Sequence, residues 1–331
     1  MEYPKFKVTV SCMTYNQSKY ITDAMNGFTM QQTSFPFVCT IVDDASTDGE
    51  QEVIRKYVNE NFDFSEGSVA YHKETDYAHI TYAQHKTNKN CYFAVLYLKE
   101  NHYSKHKDKS PYLKDWRDGV EYMALCEGDD YWIVPDKLEK QVNALDSNKS
   151  ATFSYTSFLT VDQEGKEELR SFFEKCKKRS HSGDVLLDLF TQNFIMTLTV
   201  VYRTSISSGN TYFDKYPGPT CDYFLFMQCA IKGNAIFIDK ACGCYRDNPN
   251  GLIRTRQKEI DDIIWKIYKY FSLGVVSGQM SRDVQSSKKI RLYFQFIIRG
   301  IKKMVKLQDS HYLLLLLNSL LYRNKKFYAD I

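Results

Sequence analysis

Nowhere in the 331 residues is there an uninterrupted apolar run of the roughly 18–20 residues needed to cross a bilayer. The longest, Tyr312 to Leu321, is too short and carries Asn318, so no membrane-crossing helix is expected. The start lacks the apolar core of a secretory signal, because Met1-Glu2-Tyr3-Pro4-Lys5 leads straight into a strand-like stretch. Nine cysteines contain no C-x-x-C pair, which argues against both a zinc site and a disulfide framework. Cys242 and Cys244 flank Gly243 in a strand-like segment, where both thiols fall on one face as core. Internal repeats and low-complexity linkers are also missing. These absences together imply a reduced, cytosolic globular chain.

What is present begins with aromatics, at 15%, with 25 Tyr and 21 Phe. They suit the stacking of rings or sugars, and equally a well-filled core. The net charge of +4 is unevenly spread. From Gly274 onward there are 11 Lys/Arg against 3 Asp/Glu, and the rest of the chain is net acidic.

Residues 6–13 are a β-branched run and read as a strand, followed by a Thr14-to-Ser18 loop and helical spacing over 19–31. Phe37 to Val42 reads as a second strand, ending in Asp43-Asp44-Ala45-Ser46-Thr47-Asp48-Gly49 and then a helix carrying Val53, Ile54, Tyr57 and Val58. Ser68 to His72 is a third strand, 99–118 an exposed polar insertion, and Tyr122 to Cys126 a buried strand that delivers Glu127-Gly128-Asp129-Asp130. Pro135 to Leu145 is helical, 151–161 a strand, 184–191 a short helix and 198–202 a strand. Residues 222–231 are helical, with strand signals at 235–238 and 243–246. Alternating strands and helices at this spacing predict an α/β fold with a mostly parallel twisted sheet, helices on both faces and a C-terminal helical appendage.

In such sheets ligands bind outside the carboxyl ends of the strands. Thr14-Tyr15-Asn16, Asp43-Asp44 and Glu127-Gly128-Asp129 all fall there. Crowded carboxylates repel and are costly to bury unpaired. A hard divalent cation, Mn²⁺ or Mg²⁺, would compensate them, keeping coordination positions open for phosphate oxygens. A solvated acidic turn fits the short acidic motif equally well. Ser46 to Asp48 fit a helix-capping turn. That does not explain the two preceding acids, one of which can accept a hydrogen bond from a base N–H, with Tyr15 stacked on the base.

The segments VSCMTYNQSKYI, IVDDASTDG, YMALCEGDDYWIVPDKLEKQV and TCDYFLFMQCAIKGNAIFIDKACGCYR, in this order and spacing, resemble the family 2 glycosyltransferases of bacterial surface-polysaccharide type. The resemblance covers residues 5–250. It implies an inverting, GT-A-type enzyme that moves a sugar from a nucleotide-diphosphate donor, a UDP-sugar, to a hydroxyl of a glycan or lipid-linked glycan. It further implies that Tyr15, between Thr14 and Asn16, packs on the donor base and that Asp44 holds the base with Asp43 nearby. Asp129 coordinates the metal on the diphosphate, with Glu127, Gly128 and Asp130 around it. Asp222 is the catalytic base, and Arg246 stabilises the diphosphate. The chain departs from the family pattern twice: Glu127 stands for the first acid of the D-x-D-type motif, and Cys221 for the acid before Asp222.

Residues 288–306 place Lys/Arg on one side of a helical period and apolar residues on another, and a second apolar helix follows at 311–322. Through 288–326 the tail suits either an anionic membrane surface or packing on the catalytic domain. The expected domains are a catalytic 1–250, with a nucleotide-sugar half to about residue 135 and an acceptor half from 136 to 250, and an extension 251–331. The expected location is the cytoplasm, peripheral on the inner face of the plasma membrane. A sugar nucleotidyltransferase would want a glycine-rich basic loop after the first strand, which Thr14-Tyr15-Asn16-Gln17 is not. A catalytically degenerate interaction module is disfavoured by the intact Asp44, Asp129 and Asp222. Nucleic-acid binding is not expected, because the basic residues cluster in the apolar-faced tail.

Overall fold

The computed structural model describes residues 3–206, 221–249, 251 and scattered helical positions between 255 and 305. The chain divides into two compact units. The first is built from Met1–Gly183, Phe194–Pro217 and Asn234–Pro249, the second from Asp184–Asn193, Gly218–Gly233 and Asn250–Ile331.

The first unit carries the strands Val8–Thr14 (β1), Phe37–Asp43 (β2), Tyr71–Glu74 (β3), Ala78–Gln84 (β4), Cys91–Leu98 (β5), Tyr122–Leu125 (β6), Tyr131–Trp132 (β7), Ala151–Val161 (β8), Val201–Arg203 (β9) and Asn234–Arg246 (β10). They form one sheet in the order β3-β4-β5-β2-β1-β6-β9-β8-β10-β7. Its centre, β5-β2-β1-β6, is parallel. The flanks mix directions: β4 and β9 are antiparallel to their neighbours, while β8 and β10 run parallel to each other. A parallel centre covered on both faces demands apolar residues at every position, not at alternate ones. That is why β2 and β5 are buried along their whole length.

The sequence pattern assigns no element to residues 78–98, yet β4 and β5 lie there. The run CYFAVLYL was the available signal: eight apolar residues are consistent with a fully buried strand. The insertion at 99–118 is less exposed than expected. Leu113 and Trp116 enter a core cluster with Phe6, Val38, Ile80, Tyr82 and Leu96, because the turn at Ser110–Leu113 and the helix Lys114–Arg117 fold back onto the sheet. The 235–246 region is one continuous strand, kept paired with β8 through register shifts, and not two short pieces.

Numbering Ile21–Thr29 as α1, Glu50–Asn61 as α2, Lys114–Arg117 as α3, Lys137–Ser147 as α4 and Ser171–Arg179 as α5, the helices of this unit follow the strand ends. α1 lies against β7 so closely that a Cβ on Gly27 would sit 2.7 Å from the Trp132 nitrogen. Trp132 is fixed from several sides. Its indole N–H donates to the Leu198 carbonyl at 2.8 Å, Phe28 packs edge-on, and the Lys137 ammonium lies 4.3 Å from its ring centre. Burial pushes the Lys137 ammonium down to about 8.

The second unit contains Leu186–Thr191 (α6) and Cys221–Lys232 (α7). The described side chains of α7 are buried on all sides from Tyr223 to Ile231, as expected of a helix that is apolar all round. Tyr223 donates its hydroxyl to the Leu189 carbonyl of α6 at 2.7 Å. Between 291 and 305 the described positions are helical, and Phe294, Ile298, Ile301 and Val305 are exposed. The helix expected at 311–322 lies outside the described residues. No described helix is long and apolar enough to cross a membrane.

Candidate active site

Because β1 and β2 are parallel and in register, Thr14 and Asp43 end side by side. The loops that follow are sewn together. Asp44 N–H donates to the Thr14 carbonyl at 3.0 Å, Asn16 N–H to the Ser46 hydroxyl at 2.9 Å, and Thr47 N–H to Asn16 Oδ1 at 2.8 Å. Asn16 takes a left-handed backbone, φ 55°, which Asn tolerates better than most residues. This leaves Tyr15 46% exposed at the strand end.

Glu50, the first residue of α2, is the hub of these loops. Its carboxylate accepts from Thr14 Oγ1, from Gln17 N–H at 2.9 Å and from the Ser46 hydroxyl at 2.8 Å. Glu50 is fully buried, and burial raises its pKa against those hydrogen bonds. In the sequence it looks only like a first-turn helix acid.

Ala45 has φ 61°, a left-handed conformation that costs an ordinary L-residue roughly 1–2 kcal/mol. It stands where the resembled motif has glycine. Ala45→Gly is therefore expected to stabilise the protein by about 0.5–1 kcal/mol, net of glycine's greater chain entropy. A urea unfolding midpoint reads this, and a drop would show that the Ala45 methyl contributes more by packing than its backbone loses.

The two acids of the β2 end have different surroundings. Asp43 Oδ1 accepts from Ser46 N–H at 3.2 Å and Gln51 Nε2 at 2.6 Å. Its Oδ2 is buried with no hydrogen-bond partner, and burial raises this carboxyl's pKa. Asp44 is held on both oxygens: Oδ1 accepts from His102 N–H at 2.7 Å, and Oδ2 from Tyr103 N–H at 3.0 Å and the Lys109 ammonium at 3.1 Å.

The acidic motif follows β6. Gly128 sits under the β1 loop, donating its N–H to the Met13 carbonyl at 3.3 Å. A Cβ there would lie 2.8 Å from Thr14 Cβ and 2.5 Å from Gln17 Oε1. Only glycine allows this approach, so Gly128→Ala is expected to cost about 1–3 kcal/mol by overpacking. It should also displace Thr14, and a thermal melt together with nucleotide affinity measures both. A variant with wild-type stability and affinity would contradict the close approach.

Asp129 is half-buried and accepts at Oδ2 from Asn248 Nδ2 at 3.0 Å. Burial raises its pKa, opposed by Asn248, by the Arg246 charge and by Gln17. Asp130 turns inward and accepts from the Arg246 backbone N–H at 2.9 Å. Burial first and the neighbouring Asp129 charge second push its carboxyl well above the usual range. Glu127 is half-buried beside them.

Arg246, expected on a diphosphate, is 3% exposed and engaged within the fold. It donates from Nε to the Asp129 carbonyl at 3.0 Å, from one terminal nitrogen to the Gln163 carbonyl at 2.8 Å, and from the other to Asp23 Oδ2 at 2.6 Å. Tyr20 and Tyr131 lie 4.7 and 5.2 Å from the guanidinium. It thus holds the acidic loop from behind.

Asp222 lies in the second unit, half-buried in the first turn of α7, and accepts from the Tyr223 N–H at 2.7 Å. The other candidates, Thr14, Tyr15, Asn16, Asp43, Asp44, Glu127, Gly128, Asp129, Asp130 and Arg246, all belong to the first unit. Gln17, Glu50 and Asn248 join them, unforeseen in the sequence.

Among the described residues no group of three or more His, Cys, Asp or Glu side chains could hold a metal alone. The donor set nevertheless fits a Mg²⁺-type ion that bridges to phosphates. Such ions take one or two protein carboxylates and complete their shell with waters and ligand oxygens. Asp129, with Glu127 beside it, supplies that minimum in a cluster whose guanidinium contacts a backbone carbonyl and not the Asp129 carboxylate.

No protein-family model matches the chain. The uncharacterized proteins Rv1520 of Mycobacterium tuberculosis and Mb1547 of Mycobacterium bovis are each 30% identical over 245 residues, 74% of this chain. The chain spans 60% of the length of these relatives. Among solved structures, residues 1–349 of S. aureus TarS in complex with UDP-GlcNAc superpose with a TM-score of 0.59 at 18% identity, over 95% of this chain and 80% of that one. The mannosyltransferase PcManGT of Pyrobaculum calidifontis, in complex with GDP-Man and Mn²⁺, gives 0.50 at 12% identity over 96% and 80%. The chain has a GT-A-like fold. That bears out the α/β architecture expected from the sequence, with a sheet whose parallel centre carries the candidate site.

Proposed function

We propose that the chain is an inverting, metal-dependent glycosyltransferase of the family 2 type that uses a nucleotide-diphosphate sugar. The observation that carries this reading is the placing of acids with different surroundings at the ends of β2 and β6, the strands on either side of β1. Asp44 accepts a single donor at Oδ1, while Asp129 lies beside two further acids. UDP-GlcNAc in the TarS complex and GDP-Man with Mn²⁺ in the mannosyltransferase support the same class of ligand.

In this reading Asp44 accepts the N–H of a uracil-type base with Asp43 beside it, and exposed Tyr15 stacks on the ring. Asp129 holds Mn²⁺ or Mg²⁺, which when bound neutralises the leaving diphosphate. Arg246 keeps Asp129 and Asp130 in place. Asp222 removes the proton of an acceptor hydroxyl, so the sugar transfers with inversion and without a covalent enzyme intermediate. The acceptor is a glycan or lipid-linked glycan of surface-polysaccharide synthesis. Exposed Phe294, Ile298, Ile301 and Val305, with Arg291 and Lys302 also exposed, support contact with an anionic membrane on its cytoplasmic side.

A thermal-shift screen of UDP-, GDP-, CDP- and dTDP-sugars, each with Mn²⁺ and with EDTA, tests the proposal. One nucleotide class is expected to raise the melting temperature only with the metal. No shift with any donor would sink it.

A further inference from the structure

Among the described residues of the first unit, Leu169 and Phe172 are the most exposed large apolar side chains, at 75% and 50%. Single exposed apolar residues are ordinary, but these two sit together at the start of α5. The helix turns its other side to the sheet. Cys176 is buried, Phe173 packs edge-on against Phe158 and 4.9 Å from the Tyr245 ring, and the Lys177 ammonium lies 5.4 Å from the Phe158 ring. At about 100° per residue the outward face then carries Phe172, Lys175, Lys178 and Arg179.

That face is cationic without compensation from its own helix. Glu174, the one acid of α5, pairs with Lys177 at 2.7 Å. Lys175 and Lys178 are exposed and Arg179 partly so. Like charges three and four residues apart repel. The helix dipole favours the cations of the last turn, Lys178 and Arg179, yet it gives no reason to expose Leu169 and Phe172. The acids of this region lie before the patch, with Glu164 and Glu167 exposed on the preceding turn and Glu168 paired with Arg170 at 2.9 Å.

α5 is tied to the chain that holds the acidic loop. Arg170, which precedes the helix, also pairs with Asp247. The residues on either side of Asp247 both reach Asp129: Arg246 donates to its carbonyl at 3.0 Å and Asn248 to its carboxylate at 3.0 Å. Arg246 donates in addition to the Gln163 carbonyl, in the turn ahead of α5, at 2.8 Å.

We propose that Leu169, Phe172, Lys175, Lys178 and Arg179 form a membrane footprint on the catalytic unit, which docks on the anionic headgroups and upper acyl region of a bilayer leaflet. The row of cations matches a dense anionic surface, and the aliphatic Leu169 matches hydrocarbon, having neither a flat ring nor a polar atom with which to read a sugar. The footprint is additional to the apolar stripe at 294–305, which belongs to the second unit. Its service, keeping the donor site beside a lipid-linked acceptor, rests on the glycosyltransferase reading above. The contact itself rests on the exposed face.

Flotation of the full chain with phosphatidylcholine vesicles, with and without phosphatidylglycerol and in the absence of nucleotide, tests the footprint. Wild type is expected to float with the anionic vesicles. Leu169→Ser with Phe172→Ser should lower that binding by roughly tenfold or more. Lys175→Gln with Lys178→Gln should lower it by a similar factor, which added salt imitates. All four side chains are exposed, so melting temperatures should match wild type. In Phe172→Trp the added emission should move to the blue on anionic vesicles. An apolar double variant that floats like wild type, or an unshifted emission in Phe172→Trp, would overturn the footprint. A wild-type dimer that the apolar double variant dissociates, seen by sedimentation without vesicles, would give the face to a second copy and overturn it as well. Vesicle binding through these residues by a protein that binds no nucleotide would uphold the footprint and refute the glycosyltransferase reading.

Discussion

Asp222→Asn is expected to lower sugar transfer by about 10²–10⁴-fold, the usual contribution of a general base, with nucleotide affinity unchanged. The substitution is isosteric. The oxygen of the introduced amide can still accept from the Tyr223 N–H, and α7 keeps its buried face and its Tyr223 tie to Leu189. What disappears is the ability to take a proton. Losing the charge at the first turn of the helix costs about 0.3–1 kcal/mol of stability. A plain helix-terminus role predicts the reverse pattern, with a small loss of stability and near-normal turnover. Single-turnover rates set beside nucleotide affinity separate the two. Loss of nucleotide binding instead would move Asp222 to the donor side.

Asp129→Asn is expected to remove metal-dependent donor binding and with it turnover, by at least about 10²-fold, the loss seen when one preorganised charge-stabilising group is removed. The same change should make the metal-free protein more stable near neutral pH. The sign follows from burial. The folded pKa of Asp129 lies above its unfolded value, so its favourable contribution is complete below the unfolded pKa and is lost as pH rises through the folded one. At neutral pH the carboxylate is therefore a cost in the absence of a cation. The neutral amide of the variant is free of that cost while keeping an oxygen for Asn248. Melting curves in EDTA against pH, wild type and variant, should diverge as pH rises. Curves that stay superposed would show that burial of the Asp129 carboxylate carries no cost, and activity that survives in the variant would remove Asp129 from the metal.

These features are partly legible in the sequence. Thr14, Asp43 and Gly128 sit at strand ends, and strand ends are read from short apolar runs that stop abruptly. The motifs are local, so their placement followed from the fold class. Glu50 was not legible, because its meaning comes from Thr14 and Gln17, more than 30 residues away, which fold onto it. Asn248 meets Asp129 across 119 residues, and Lys109 meets Asp44 across 65. Arg246 shows the same limit from the other side: its charge was visible, but the contacts that turn it inward come from Asp23, Asp129 and Gln163. The strand β5 has no alternation to read because it is buried on both faces, whereas β4 does alternate, Ala78, Ile80 and Tyr82 against His79 and Thr81.

The most direct measurement of the central claim is proton NMR of a UDP-sugar with an α-linked anomeric carbon, incubated with the protein and Mg²⁺, with water or a glycan as acceptor. The account predicts release of UDP with the β-anomer appearing first, and no release once EDTA is present. An α-anomer appearing first, or turnover indifferent to EDTA, would contradict it.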